Sequence, residues 1–242
     1  MDKIVIIGAG HAGVELAHSL RQRGFAGRIT LVSDEADLPY HRPPLSKDFL
    51  NGETTEPLLL RAEAAYARNT IELMRGRRAV GIDRAAKTVR LDNGDGLAYD
   101  HLALALGARN RRLPIPGADH PDILELRELG HAWRILSLMP RLRSVAIIGG
   151  GFIGLEIAAI MRGKGVAVDI IEIAGRLMAR AVSEPVSDYF RRFHADAGAK
   201  LHFHSQAAAI AHQGGKAVLR LEHFQDKCNP VFRPKMRQNK EL

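Results

Sequence analysis

Two glycine clusters carry the first chemistry this sequence can do. Gly8-Ala9-Gly10-His11-Ala12-Gly13 and Gly149-Gly150-Gly151-Phe152-Ile153-Gly154 both read G-x-G-x-x-G. Alone, that spacing is a weak signal, because glycine-rich turns are common. Here each copy follows an apolar run (Ile4–Ile7 and Val145–Ile148) and opens a segment with apolar residues at helical spacing, which is the context of a dinucleotide-binding turn. Gly8 and Gly149 permit the tight turn, and Gly10 and Gly151 let the backbone approach a pyrophosphate. Gly13 and Gly154 let helix and strand pack closely. The phosphates would rest on a helix N-terminus, where free N–H groups and the dipole favour anions. The chain binds two dinucleotides or descends from one that did.

The acids that follow suggest which nucleotides. Glu172 ends the second strand of the later unit, 18 residues past Gly154. A carboxylate there accepts a hydrogen bond from a ribose 2′-OH and repels a 2′-phosphate, favouring NAD over NADP. Arg176, four residues on, could instead meet a phosphate. In the first unit the corresponding strand ends in Ser33, with Asp34 and Glu35 next; one of these takes the ribose role, Asp34 being preferred.

Around these turns the sequence predicts two βαβ units. In the first, Ile4–Ile7 and Arg28–Val32 are strands flanking a helix over Val14–Leu20, and Ala62–Arg68 forms a further helix. From Ile71 to Leu106 the pattern changes to an antiparallel meander (Arg78–Asp83, Thr88–Leu91, the Asn93-Gly94 turn) closing on a buried strand at Leu102–Leu106. Leu113-Pro114-Ile115-Pro116-Gly117 is stiff and exposed, the best domain boundary, and Leu126–Met139 is helical. In the second unit Val145–Ile148 and Val166–Ile171 flank a helix over Leu155–Arg162. A helix starting at Ser183-Glu184-Pro185, with serine at the cap and proline in the first turn, follows. Strands are expected at Lys200–Phe203, Ala207–Ala211 and Ala217–Leu221. The fold class is α/β: two Rossmann-like dinucleotide-binding domains of the ββα type with an antiparallel meander, the boundaries at 1–110 and 111–222. Residues 223–242 read as a disordered basic tail.

Composition narrows the class. One cysteine, Cys228, excludes a Cys-x-x-Cys redox pair, an internal disulfide framework and a thiolate metal cage. Aromatics are only 5% of residues, too few for a stacking platform that binds nucleic acid. Of the net charge of +8, Lys227, Arg233, Lys235, Arg237 and Lys240 against Asp226 and Glu241 supply +3 from the tail, leaving +5 scattered over the rest. Scattered arginines are a solvated surface, so no nucleic-acid partner is expected. Lys3 runs into a strand rather than a signal peptide, and no apolar run approaches the roughly 18 residues of a membrane helix. A cytoplasmic protein without a membrane contact is expected. His202 and His204 would share one face of a strand, but no carboxylate or thiolate accompanies them, and no metal site is expected. Ser46 lies in no G-x-S-x-G and is read as the cap of a helix starting at Lys47. Met139 and Met161 are read as core.

"IVIIGAGHAGVELAHSLR", "ITLVSDEADLPYHRPPLSKDFL", "LALALGARNRRLPIPGAD" and "VAIIGGGFIGLEIAAIM…VDIIEIAGRLMAR" together resemble the FAD-dependent ferredoxin reductases. This is the branch of the pyridine nucleotide–disulfide reductase superfamily that includes the putidaredoxin, rubredoxin and dioxygenase-ferredoxin reductases. The similarity spans about residues 3 to 222, and Pro-Pro-Leu-Ser-Lys is its most specific part. It implies FAD in the first unit and NADH in the second. Hydride would pass to flavin N5, and electrons would leave singly to a small iron–sulfur carrier of ferredoxin or rubredoxin type. Carried over by position, Gly8, Ala9, Gly10, His11, Ala12 and Gly13 hold the FAD pyrophosphate, with Ser33 and Asp34 near the adenosine. Arg42 meets the pyrophosphate, Lys47 the flavin, and Val80 the adenine through its backbone. Leu106, Gly107 and Arg109 line the cofactor. Gly149, Gly151, Phe152, Ile153, Gly154 and Glu172 take NADH. Tyr40 and His41 are walls of the loop.

The resemblance also implies a catalytic pair. Lys47, on a loop stiffened by Pro39, Pro43 and Pro44, would set positive charge by flavin N5 and the C4 carbonyl, where electron density builds. Glu156 would hold that lysine and be favoured ionised by a place in the first helical turn. Family members continue past the present match, returning to the FAD domain with a strand that ends in a Gly-Asp pair and then an interface domain. No such strand occurs in residues 223–242. The FAD domain is therefore expected to be incomplete, and the alternative function is a nucleotide-binding remnant without turnover.

Overall fold

The computed structural model describes residues 1–54, 56–213 and 216–223. Strand β1 (Lys3–Ile7) leads through the first glycine turn into α1 (His11–Gln22) and back to β2 (Arg28–Val32). The proline loop forms a 3₁₀ turn (Pro43–Ser46) and a short helix α2 (Asp48–Asn51). Then come α3 (Glu63–Arg68), β3 (Ile71–Met74), β4 (Ala79–Asp83), β5 (Thr88–Leu91), β6 (Gly96–Ala98), β7 (His101–Leu104) and α4 (Leu129–Leu138). The second theme runs β8 (Ser144–Ile148), α5 (Phe152–Gly163), β9 (Ala167–Ile171), α6 (Glu184–Asp196) and β10 (Lys200–His202), followed by β11 (Ser205–Gln213) and β12 (Lys216–His223).

In the first unit the strands order β3-β2-β1-β7, all parallel, with β4-β5-β6 as a separate antiparallel sheet. The wholly apolar β1 is explained by its two covered faces. Ile4 and Ile6 point to a cluster with Ile29, Leu31 and Ile71, closed by Val14 and Ala17 of α1 and Tyr66 of α3. Val5 and Ile7 point the other way, with Val32, onto Val89 and Leu91 of the meander. Period-two alternation thus feeds two cores from one strand. The meander was anticipated; β3, which extends the parallel sheet from β2, was read only as the start of that meander, because four residues carry too little periodicity to tell one sheet from another.

In the second unit β10-β9-β8 are parallel and β11-β12 is a hairpin with a register shift between Ala207 and Ala209. Contacts divide the chain into Met1–Arg112 with Leu124–Arg141, and Leu113–Ile123 with Leu142 onward. Helix α4 thus groups with the first unit. The reason is packing: Leu129, Ala132 and Ile135 are buried, and Trp133 meets the Phe49 ring edge-on at 4.9 Å.

Two local expectations are corrected. Ser46 does not cap a helix; its hydroxyl faces the Pro43 carbonyl at 3.5 Å within the 3₁₀ turn, and α2 begins two residues later without a side-chain cap. His202 and His204 do not share a strand face, because β10 ends at His202 and His204 has φ 49° in the turn beyond. His202 instead bonds Asp169 across β9 at 2.7 Å. No helix among the described residues is long and apolar enough to cross a membrane. The expected basic tail, from residue 224 on, and Cys228 lie outside the described residues.

Candidate functional site: two glycine turns at helix N-termini

The first turn is built by sterics that only glycine satisfies at two of its positions. Gly8 has φ 105°, and a Cβ there would lie 2.2 Å from the Ala105 carbonyl oxygen. A Cβ on Gly13 would lie 1.9 Å from the Gly8 oxygen, so α1 and the end of β1 touch backbone to backbone. Gly10 is different. Among the described residues, nothing beyond its chain neighbours lies within 4 Å of where its Cβ would be, and its backbone is extended (φ −75°, ψ −172°). Gly10 caps α1 with no side-chain hydrogen bond. The first-turn N–H groups therefore face a cradle that a side chain would fill and an anion can use. His11 and Ala12 are exposed at this turn, while Ala9 packs on the core. His11 Nε2 lies 3.0 Å from His41 Nδ1. Burial lowers the pKa of His11, and His41 and Arg42 lower it further, so a neutral ring meets the cradle.

The second turn repeats this geometry. Gly149 has φ 108°, and a Cβ on Gly154 would sit 2.4 Å from the Gly149 oxygen and 3.2 Å from Ile147 Cγ2. Gly151 caps α5 in extended backbone, again with nothing among the described residues beyond its chain neighbours within 4 Å of its Cβ position and with no side-chain cap. Phe152 and Ile153 stand exposed beside it. Glu172 comes to this turn: its carboxylate accepts the Gly150 N–H at 2.7 Å and the Ala174 N–H at 2.8 Å. Arg176 is engaged elsewhere, donating to the Val182 and Ala179 carbonyls at 2.9 and 2.7 Å.

Several first-unit residues gather near their turn. Leu106 Cα is 3.3 Å from the Gly8 Cβ position, and Gly107, with φ 66°, faces Arg127. Arg109 is exposed. Ser33 is buried; its hydroxyl accepts the Glu35 N–H at 3.3 Å. Asp34 pairs with Arg78 at 3.3 Å, half-exposed. Val80 falls at the register shift between Ala79 and Gly81, a bulge that leaves it without a paired residue on β5. Lys47 is exposed, its Nζ 3.4 Å from the Pro43 carbonyl. Glu156 is the fifth residue of α5 and not in its first turn, because the helix starts three residues before the expected Leu155. The dipole effect fades beyond the first turn, so it does little for Glu156.

The proline loop holds a lock that sequence reasoning missed. Tyr40, expected as a wall of the loop, is buried; its hydroxyl donates to Glu35 and accepts the Leu129 N–H at 2.8 Å. Arg42 spans the same knot, pairing with Glu35 and donating to the Arg127 carbonyl at 2.9 Å. Burial first, then the bond and charge of Glu35, pushes the Tyr40 hydroxyl far above its ordinary pKa, which keeps it a donor. The lock ties the loop to both β2 and the start of α4. Its signal was present only as residue types; no spacing linked residue 40 to residue 129.

Comparisons with known proteins match this layout. Rhodocoxin reductase of Rhodococcus erythropolis is 46% identical over 216 residues, covering 89% of this chain and 51% of that protein. The ferredoxin–NAD(+) reductase component of the p-cumate 2,3-dioxygenase system of Pseudomonas putida is 41% identical, covering 88% and 53%. Among solved structures, the ferredoxin reductase for the CYP199A2 system of Rhodopseudomonas palustris superposes with TM-score 0.87 at 44% identity, over 91% of this chain and 55% of that one. The putidaredoxin reductase–putidaredoxin complex gives 0.86 at 36% identity, over 91% and 55%. The chain thus spans about half the length of the relatives it matches. The family model described as pyridine nucleotide-disulphide oxidoreductase matches residues 2–228. With nearly the whole chain matched by that model, the chain belongs to the pyridine nucleotide-disulphide oxidoreductase family.

Proposed function

We propose that this chain carries the nucleotide-binding part of an NADH-dependent FAD oxidoreductase that serves a small iron–sulfur carrier of ferredoxin or rubredoxin type. The carrying observation is the pair of glycine turns, each with an uncapped helix N-terminus and open space where a glycine Cβ would lie. A pyrophosphate fits both. FAD is assigned to the first turn and NADH to the second. Bound flavin supplies the conversion between two-electron hydride chemistry and one-electron transfer.

The chain's own residues bind, orient and bias. Gly10, His11 and Ala12 present N–H groups to a pyrophosphate, with Arg42 as the nearby cation, and Ser33 and Asp34 flank the adenosine. Val80 offers bulge peptide groups to an adenine, and Leu106, Gly107 and Arg109 border the same cofactor. In the second unit Gly151, Phe152, Ile153 and Gly154 frame the NADH phosphates. Glu172 selects a 2′-hydroxyl over a 2′-phosphate, supported by the commitment of Arg176 to backbone carbonyls. Lys47 places positive charge where reduction builds electron density, and Glu156 of α5 is the second catalytic candidate. The reading puts the protein with the reduced nicotinamide pool of the cytoplasm.

The test is direct. The purified chain is examined for flavin absorbance and, after loading with FAD, for anaerobic bleaching by NADH. A yellow protein that bleaches on NADH supports the reading. A chain that neither retains nor takes up flavin is a remnant, and the reading falls.

A further inference from the structure

A separate site forms in the second unit, away from both glycine turns in sequence. The segment Leu113–Ile123 is stitched to β11: the Ile210 N–H donates to the Pro116 carbonyl at 2.8 Å. Gly117, with φ 81°, lies so close that a Cβ would come within 2.0 Å of the Ile210 oxygen. His212 stands two residues along β11 and so on the same face as buried Ile210. The turn that follows Gly117 brings His120 and Asp122 to it.

The three side chains make an N, N, O donor set. One ligand atom from each lies within 4.8 Å of the other two. His120 Nδ1 is 3.5 Å, and His212 Nε2 4.0 Å, from the same Asp122 oxygen. Both distances are too long for hydrogen bonds. They approach the edge of about 3.4 Å between ligand atoms of a tetrahedral ion with metal–ligand bonds near 2.0–2.1 Å. The imidazoles stack, centroids 3.3 Å apart and planes 25° apart, so one ring must turn for both in-plane lone pairs to reach a shared ion.

Two observations say that this is more than a chance huddle. His212 Nε2 is buried and makes no hydrogen bond among the described residues, a costly state for a ring nitrogen. His120 Nδ1 accepts the Asp122 N–H at 3.2 Å, so it carries a lone pair in this arrangement rather than a proton. We infer that His120, Asp122 and His212 bind one divalent transition-metal ion of the zinc class, clamping the Leu113–Ile123 segment to the β11–β12 hairpin. Two imidazoles and one carboxylate suit Zn²⁺ and its neighbours and disfavour Ca²⁺ and Mg²⁺, which take oxygen donors. Three protein ligands leave one position for water. Binding gives up the weak Asp122 N–H bond to His120.

Calorimetric titration of the full chain with Zn²⁺, and with Co²⁺ read by visible absorption, tests the site without flavin or turnover. The wild type should bind one ion with a tetrahedral Co²⁺ spectrum, and Ca²⁺ and Mg²⁺ should not compete. Asp122→Asn and His212→Gln should each weaken binding by more than about 10-fold, the least that loss of even an outer-shell partner costs. His101→Ala, an exposed histidine elsewhere, should bind as the wild type does. Circular dichroism checks each variant's fold; Asp122 is surface-exposed, so its variant remains informative should His212→Gln misfold. No tight ion in the wild type, or equal affinity in folded Asp122→Asn, overturns the proposal.

Discussion

Replacing Gly13 and Gly10 separately by alanine pulls apart the two duties of the first glycine turn. Gly13 lies inside α1, where helix propensity alone favours alanine by about 1 kcal/mol. A Cβ there would sit 1.9 Å from the Gly8 oxygen and 3.3 Å from Leu31 Cδ1. Ordinary contact is roughly 3.5 Å, so α1 must back away from β1 by more than a bond length, against backbone that cannot swing aside. Overpacking of that kind costs about 3 kcal/mol, the upper end of its usual range. The net expectation for Gly13→Ala is a loss of about 2 kcal/mol, or roughly 1 M in the urea midpoint. Gly10→Ala meets nothing among the described residues beyond its chain neighbours within 4 Å and needs no unusual φ, so its stability should change by less than about 1 kcal/mol. Its Cβ would instead occupy the phosphate cradle, and flavin affinity should fall. Trp133, the sole tryptophan, packs on Phe49 within the first unit, so its fluorescence during urea unfolding reports that unit. A Gly13→Ala chain as stable as the wild type, or a Gly10→Ala chain with undiminished flavin affinity, would refute the reasoning.

Lys47→Ala should slow stopped-flow flavin reduction by NADH at least about 10-fold, with little change in the urea midpoint; an unchanged rate removes the lysine from the chemistry. Glu172→Gln keeps one acceptor oxygen and discards the charge, so the NADPH-to-NADH ratio of kcat/KM should rise about 10-fold, and a constant ratio would acquit the carboxylate of cofactor choice. Tyr40→Phe strands the Leu129 N–H and part of Glu35 in a buried place, at a cost of about 1–3 kcal/mol in Trp133-monitored unfolding; a midpoint within error of the wild type would show the lock to be decorative. His194 is buried in α6 with Nδ1 unbonded among the described residues, and desolvation lowers its pKa below the ordinary 6.5. The unfolded chain therefore binds more protons below that value, and this stability, fully present above pH 6.5, is lost as pH falls toward the folded-state pKa. Thermal melts from about pH 7.5 to about pH 5.5 should show a shallower decline for His194→Phe than for the wild type, and parallel declines would exclude the histidine.

What the sequence determined by itself was local. The two glycine turns were legible because tight turns and close helix–strand contact are short-range steric demands, and glycine is the residue that meets them at Gly8, Gly13, Gly149 and Gly154. Glu172 lies one residue past the end of β9, where its carboxylate accepts the Gly150 N–H. Even within a helix the reach of such rules was limited, since α5 began early and moved Glu156 out of its first turn. Tertiary structure decided what depends on which surfaces meet. The apolar stripe of α4 announced burial but not the partner, and only packing against Phe49 and the Tyr40–Glu35–Arg42 lock assigned it to the first unit. Glu35 and Asp34 are adjacent acids with opposite fates, one sealed by Arg42 and the other half-exposed beside Arg78. His120, Asp122 and His212 carry no shared spacing at all. Their convergence follows from backbone hydrogen bonds that join a loop to a distant strand, and no local periodicity encodes a meeting across some ninety residues of chain.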